Sequence, residues 1–269
     1  MNTNHSPIVN TLKQCLKPTR LAVIARKIFS RFSDAQGEIS NVANQEWIES
    51  NLIDVEEFAR NLDRELWESS KEMADQICAD ASQKIAKLEH ELGGGGAYPL
   101  LLFLTRFLKP QCVVETGVAA GFSSAAILQG LAENKAGHLF SSDFPYFRIP
   151  NPERFIGVAV DESLKEAWTL MIDGDRKNLP RIYEQTTSID LFHYDSDKTY
   201  SGRTFAMSKL KPRLHEASII VFDDIQDNSH FHDLVKSGEY ATWSVFEFEG
   251  KYIGLVTNNA VLSKAHANR

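Results

Sequence analysis

The chain has 269 residues, 43% of them hydrophobic, and a formal net charge of −7. That length carries one sizeable core plus an appendage, and the negative charge excludes nucleic acid as the main partner, because neutralising phosphates takes a basic face. No apolar run approaches the roughly 20 residues of a membrane span, and the start lacks the apolar segment of a signal peptide. Cys15, Cys78 and Cys112 are unevenly spaced with no Cys-x-x-Cys, which suggests reduced thiols in the cytoplasm and neither a zinc site nor a disulfide frame.

Before Gly93 there is almost no strand signal. Ile8 to Phe32 contains Lys13, Lys17, Arg20, Arg26, Lys27 and Arg31 and no acid. It reads as the solvated face of a capping helix, with a membrane surface or an acidic partner as the alternative. Gln45–Leu62 and Glu65–Leu92 are rich in Glu, Ala, Lys and Leu at helical spacing. Residues 1–92 are therefore expected to form two or three helices, a cap over the acceptor side of a cleft or a homodimer interface. Trp47, Phe58, Leu62 and Trp67 are its core, or else the wall of a substrate pocket. Gly93-Gly94-Gly95-Gly96 reads as a flexible joint, with 93–269 as the second unit.

After the glycines, Tyr98–Leu108 reads as a helix leading to Pro110. Strands then alternate with helices: Cys112–Glu115, His138–Ser142, Thr169–Ile172, Ile189–Tyr194, Ser218–Phe222, Trp243–Phe248 and Lys251–Val256. Only Glu249-Gly250 separates the last two, which makes them a hairpin. The fold class expected is α/β, a doubly wound, mostly parallel seven-stranded sheet with one antiparallel strand and an N-terminal helical region.

The most informative run is Val113-Val114-Glu115-Thr116-Gly117-Val118-Ala119-Ala120-Gly121-Phe122-Ser123-Ser124. A buried strand ends in an acid, a tight glycine turn follows, and a helix begins, exposing free N–H groups to a ligand. Phe122 stands where a phosphate-binding loop needs Lys, and the glycines are too few and wrongly spaced for a nicotinamide fingerprint. Glu115-x-Gly117-x-x-x-Gly121-x-Ser123 has no cationic phosphate clamp and suits a ligand without phosphates. Asp143 follows the second strand, where a carboxylate takes ribose hydroxyls. Asp175 follows the third, within reach of an adenine amino group. Asp195 ends the fourth strand and Asp223 the fifth. Carboxyl ends of parallel strands line one crevice, and an acid-rich crevice fits a ligand carrying a sulfonium and an ammonium group.

With these residues in place, the sequence over about 97–257 resembles class I S-adenosylmethionine-dependent methyltransferases, which have a Rossmann-like fold. Ile189-Asp190-Leu191-Phe192-His193-Tyr194-Asp195-Ser196-Asp197-Lys198-Thr199-Tyr200 is similar to the fourth-strand motif of their small-molecule O-methyltransferases. Ile219-Ile220-Val221-Phe222-Asp223-Asp224-Ile225 resembles the fifth-strand motif. The resemblance implies that Glu115, Gly117 and Gly121 surround the methionine part of the cofactor, with Ser123 in the same motif. It implies Asp143 at the ribose and Asp175 at the adenine, with Asp195 also counted among the cofactor-binding residues.

Methyl transfer from a sulfonium mainly requires positioning the acceptor and managing its proton. Asp195, Asp223 and Asp224 offer hard oxygens from two adjacent strand ends, a candidate site for Mg²⁺ or Ca²⁺. Catechol and caffeoyl-CoA O-methyltransferases, which this region resembles, bind metal with an Asp on the fourth strand and an Asp-Asn pair on the fifth; here Asp224 replaces the Asn, and Asp227-Asn228 is an alternative source of the amide. In those enzymes a Lys three residues after the first Asp acts as base at the acceptor, the spacing that Asp195 and Lys198 keep. His193 reads as a core histidine, and His230 as a weaker candidate base or substrate contact. The expected activity is methylation of a hydroxyl on a small metabolite. Nitrogen or carbon acceptors without a metal, or a methyltransferase-like binding protein without turnover, are the alternatives.

Overall fold

In this computed structural model the described residues are 38–263 apart from 91 and 93, together with 10, 11, 21 and 24. Most of the basic segment Ile8–Phe32, and Cys15 with it, lies outside them. Among the described residues no helix is long and apolar enough to cross a membrane.

Ahead of the glycine run lie α1 (Glu38–Ser50) and α2 (Val55–Ile85). The helix expected over Gln45–Leu62 is broken at 51–54. Leu52 and Ile53 run beside a sheet edge there, Ile53 N–H donating to the Val245 carbonyl at 2.9 Å. Asp54 then caps α2 by accepting from Glu56 N–H at 2.7 Å, with Glu56 and Glu57 in the positive first turn. Within α2 the backbone is extended at Asp63 (φ −160°, ψ 101°), and its carboxylate accepts from Leu66 N–H at 3.0 Å, capping the second half anew. The helix ends at Ile85, short of Leu92, with Ala86 as its C-cap. Helix α3 (Tyr98–Leu108) is buried from Leu100 to Thr105, since it lies between α2 and α4 (Phe122–Asn134).

The other strands and α-helices are β1 (Cys112–Thr116), β2 (His138–Ser142), β3 (Trp168–Met171), α5 (Asp175–Gln185), β4 (Ile189–Tyr194), α6 (Tyr200–Leu210), β5 (Leu214–Phe222), α7 (His230–Lys236), β6 (Thr242–Phe248), β7 (Lys251–Thr257) and α8 (Ala260–Ser263). The seven strands run in the order β3-β2-β1-β4-β5-β7-β6, with β7 antiparallel to both neighbours. The sheet is therefore the doubly wound, mostly parallel one that the strand pattern predicts. Alternation along the strands sorts the core into two layers. Val113, Leu191 and Val221 face α2, α3 and α4, whereas Val114, Phe192 and Ile220 face the layer of α1, α5, α6 and α7. The early helices thus share the main core, with Phe58 against Phe246 and Trp67 edge-on to Phe103.

Register fixes the site. Thr116 pairs with Ser142 on one side and Tyr194 on the other, Ser142 with Met171, and Tyr194 with Phe222. The next residues, Gly117, Asp143, Asp195 and Asp223, consequently stand level along one edge. Their N–H groups continue the ladder, donating to Ser142, Met171, Thr116 and Tyr194 carbonyls at 2.8–2.9 Å. Because β1 leads away toward β2, and β4 lies on its other side, this edge opens as the crevice of an open α/β sheet.

Candidate functional site

The turn after β1 is tight and left-handed at Gly117 (φ 81°), Ala119 (φ 49°) and Gly121 (φ 99°). Gly117 runs against the end of β4, where a Cβ would lie 2.0 Å from the Asp195 carbonyl oxygen. Only glycine satisfies both the dihedral and the space.

Glu115 and Ser123 take places other than the crevice wall. Glu115 is fully buried, two residues from Val113 and therefore under the same helical layer. Its oxygens accept from Ser123 Oγ at 2.6 Å, Ser124 Oγ at 2.5 Å and Ser141 Oγ at 2.9 Å, with His193 Nδ1 3.5 Å away. The carboxylate ties β1 and β2 to the first turn of α4, which fixes the direction of the helix N-terminus. His193 is buried beside it, the core position expected.

Asp143 bridges strand end and turn: Oδ2 accepts from Ala119 N–H at 2.9 Å and Oδ1 from Phe144 N–H at 2.6 Å. Asp175 opens α5 and accepts from Ser142 Oγ at 2.6 Å and Ser196 Oγ at 2.5 Å. Asn178, fully buried and not singled out by the sequence, donates to Ser142 Oγ at 3.0 Å and to the Met171 carbonyl at 2.9 Å. These contacts join the ends of β2, β3 and β4 into one polar rim around the glycine turn.

The second half of the site is acidic. Asp195, Asp223 and Asp224 each bring a carboxylate oxygen within 4.8 Å of the others. Asp223 and Asp224 are buried, and Asp223 Oδ1 has no hydrogen-bond partner. Burial, then the neighbouring charge of Asp223, hold the Asp195 carboxyl well above the ordinary carboxylate range. Lys198 pairs with Asp224. Lys251, at the start of β7, places its ammonium 3.4 Å from Asp223 Oδ2 and 3.9 Å from Asp224 Oδ2. Asp224 is left-handed (φ 51°), and a guanidinium pins the turn it makes. Arg203 is fully buried and its Nη2 donates to the carbonyls of Asp223 at 3.0 Å and Asp224 at 2.7 Å.

Gly95 and Gly96 lie against the site. A Cβ at Gly96 would come within 3.0 Å of the Asp223 carboxylate, and one at Gly95 within 2.4 Å of Phe122 Cβ. Of these two glycines, expected in a flexible joint, Gly96 makes a close backbone approach to Asp223 and Gly95 to the first turn of α4. Among the described residues, sequence reading missed Lys251, Arg203, Asn178 and this approach. An isolated basic residue gives no sign of its partner until the strands are paired.

Two other expectations are displaced. His230 is packed and does not present its ring to the acids: it is 7% exposed, its ring meets Tyr200 edge-on, and Phe222 lies 5.9 Å away. Phe222 points to the helical layer opposite from its neighbour Asp223, which is why a residue packed on it is carried off the crevice. Burial pushes the His230 pKa down to about 4. The Asn228 amide donates to the Lys198 carbonyl at 2.8 Å, and its oxygen accepts from His230 N–H at 3.0 Å, so it holds the loop and does not face the three aspartates.

Residues 114–225 match a family described as a methyltransferase domain. No curated protein matches the sequence. Solved structures share the fold. The O-methyltransferase TomG from Streptomyces achromogenes, involved in tomaymycin synthesis and in complex with S-adenosylmethionine, is 15% identical with a TM-score of 0.52, over 67% of this chain and 89% of that one. The O-methyltransferase from Bacillus cereus in complex with S-adenosylhomocysteine is 15% identical with a TM-score of 0.50, over 70% and 90%. A methyltransferase from Geobacter sulfurreducens is 14% identical with a TM-score of 0.50, over 68% and 88%.

Proposed function

We infer that this chain is a class I S-adenosylmethionine-dependent methyltransferase, a reading supported by its matched methyltransferase domain and its fold, and that it methylates a hydroxyl of a small molecule with the help of a divalent cation. The observation that carries the reading is the meeting of the phosphate-free glycine turn with three carboxylates and Lys198 at adjacent strand ends.

When bound, S-adenosylmethionine supplies a methyl group already activated by a sulfonium. Gly117 and Gly121 let the backbone come close to it, Asp143 and Asp175 mark the ribose and adenine ends, and Glu115 with Ser123 hold the helix that faces it. A divalent cation would lower the acceptor hydroxyl's pKa and orient its oxygen. The residues present fit such an ion: Asp195, Asp223 and Asp224 are all hard oxygen donors, and one buried oxygen of Asp223 lacks a partner. Lys198 and Lys251 hold positive charge at the rim, where an alkoxide or phenolate forms. In-line displacement at the methyl carbon would break the carbon–sulfur bond with its electron pair leaving on sulfur, and the acceptor hydroxyl's proton would pass to bulk water. Arg203 fixes the Asp223–Asp224 turn from below and touches neither reactant.

The two ammonium groups already beside the acids support a second reading, in which the aspartates balance lysines and no metal takes part. Production of S-adenosylhomocysteine from S-adenosylmethionine, screened against phenols, catechols, sugars and small acids, tests the first clause. Repeating it after exhaustive EDTA treatment, with and without added Mg²⁺, separates the two readings. A cytoplasmic setting is in keeping with the free thiols of Cys78 and Cys112.

A further inference from the structure

A cavity of about 300 Å³ lies between α2, the start of α3 and the β6–β7 hairpin. None of the residues assigned above to cofactor or metal lines it. Its inner wall is apolar and aromatic: Trp67, Tyr98, Phe246 and Ile253 are all buried there. Trp67 also carries a buried indole N–H with no hydrogen-bond partner. The opening differs in character. Asp75 and Glu249 line it and are exposed, whereas Glu247, between Phe246 and Phe248 on β6, turns its side chain to the opposite face of the sheet. Among the described residues Lys71 is the only basic residue lining the cavity, and it is taken by Glu56. An apolar body with a negative mouth suits a molecule that is aromatic at one end and cationic at the other.

Two walls of this cavity continue directly into the acidic cluster. Ala97 lines it, and the preceding Gly96 is the residue whose Cβ would meet the Asp223 carboxylate. Phe248 lines it, and its partner across the hairpin is Lys251, whose ammonium is 3.4 Å from Asp223. We propose that this cavity is the acceptor pocket and that it selects an aromatic compound bearing a protonated amine. This inference rests on the methyl-transfer reading for the word acceptor, and on the cavity alone for the ligand class.

The test compares three phenols that differ only in the charge of a short tail: tyramine (cationic), 4-ethylphenol (neutral) and 3-(4-hydroxyphenyl)propionate (anionic). Their binding to the full chain is measured by calorimetry at low salt. The expected result is roughly tenfold tighter binding of tyramine than of 4-ethylphenol, with the propionate weakest, and a preference that shrinks as salt rises. In the double variant Asp75→Asn, Glu249→Gln, changed only at exposed positions, the preference should fall to about twofold or less. In Val55→Phe, at the cavity wall, all three should bind at least roughly tenfold more weakly. Equal affinity for the three phenols, or a tyramine preference that survives the double variant, overturns the inference. The cofactor is followed separately. A chain that releases S-adenosylhomocysteine with another acceptor but shows no amine preference overturns the pocket and leaves the proposed function standing. A chain that prefers tyramine but never turns over S-adenosylmethionine overturns the proposed function and leaves an amine-binding cavity.

Discussion

A Cβ built on Gly117 would sit 2.0 Å from the carbonyl oxygen of Asp195. The turn after β1 and the end of β4 are thus in backbone contact, and the first acid of the cluster is placed by the glycine of that turn. Gly117→Ala must either push β4 away or open the turn, against an already unfavourable positive φ. We expect a loss of roughly 3 kcal/mol or more in urea unfolding and loss of measurable S-adenosylhomocysteine binding by calorimetry. A variant within about 1 kcal/mol of the parent with full binding would show that the turn relaxes freely.

Arg203 offers a second test. Its guanidinium is buried and donates to two consecutive carbonyls, those of Asp223 and Asp224. Arg203→Met leaves both without that donor beneath the acidic turn, and should cost roughly 3 kcal/mol of stability. Arg203→Lys keeps the charge but not the planar fork, and should recover only part of it. Denaturant curves for the three proteins decide the order.

His230 sets an acid-side dependence. Its ordinary pKa of 6.5 falls to about 4 in the folded chain because burial disfavours the imidazolium. Between those values the unfolded chain binds a proton that the folded chain does not, so this residue's contribution to stability is complete above pH 6.5 and is lost as pH falls toward 4. From pH 7 to pH 5 the parent should lose ~2 kcal/mol more than His230→Phe. Parallel pH slopes for the two proteins would remove His230 as the cause.

The cation proposal makes a direct prediction. Asp223→Asn takes away a buried carboxylate that meets Asp195, Asp224 and Lys251, and should lower methyl transfer at least about 100-fold and abolish Mg²⁺ stimulation. The parent, stripped by EDTA, should regain activity with Mg²⁺. Undiminished activity after EDTA would favour the lysine-balanced reading instead.

Much of this site is visible in the chain before folding. Hydrophobic alternation set the strands to within a few residues, with β5 as the widest miss. That strand starts at Leu214 and not Ser218, because the β4–β5 pairing shifts register between Ile189 and Leu191 and admits exposed residues that no apolar pattern marks. The loss of the helix at 51–54 has a similar origin, since Leu52 and Ile53 answer to an edge strand almost two hundred residues away.

The sequence by itself determined the order of strands and helices, the glycine turn, and the acids that follow each strand, because side-chain periodicity and backbone freedom are local properties. Tertiary structure decided which of these groups meet. It turned Glu115 and Ser123 inward as a clamp, since strand side chains alternate between faces. It buried His230 against Phe222 on the layer opposite from the acids. It brought Lys251, Arg203 and Gly96 to Asp223 and Asp224 from three separate segments. Contacts of that range depend on strand register and helix packing, and neither is written in any one stretch of sequence.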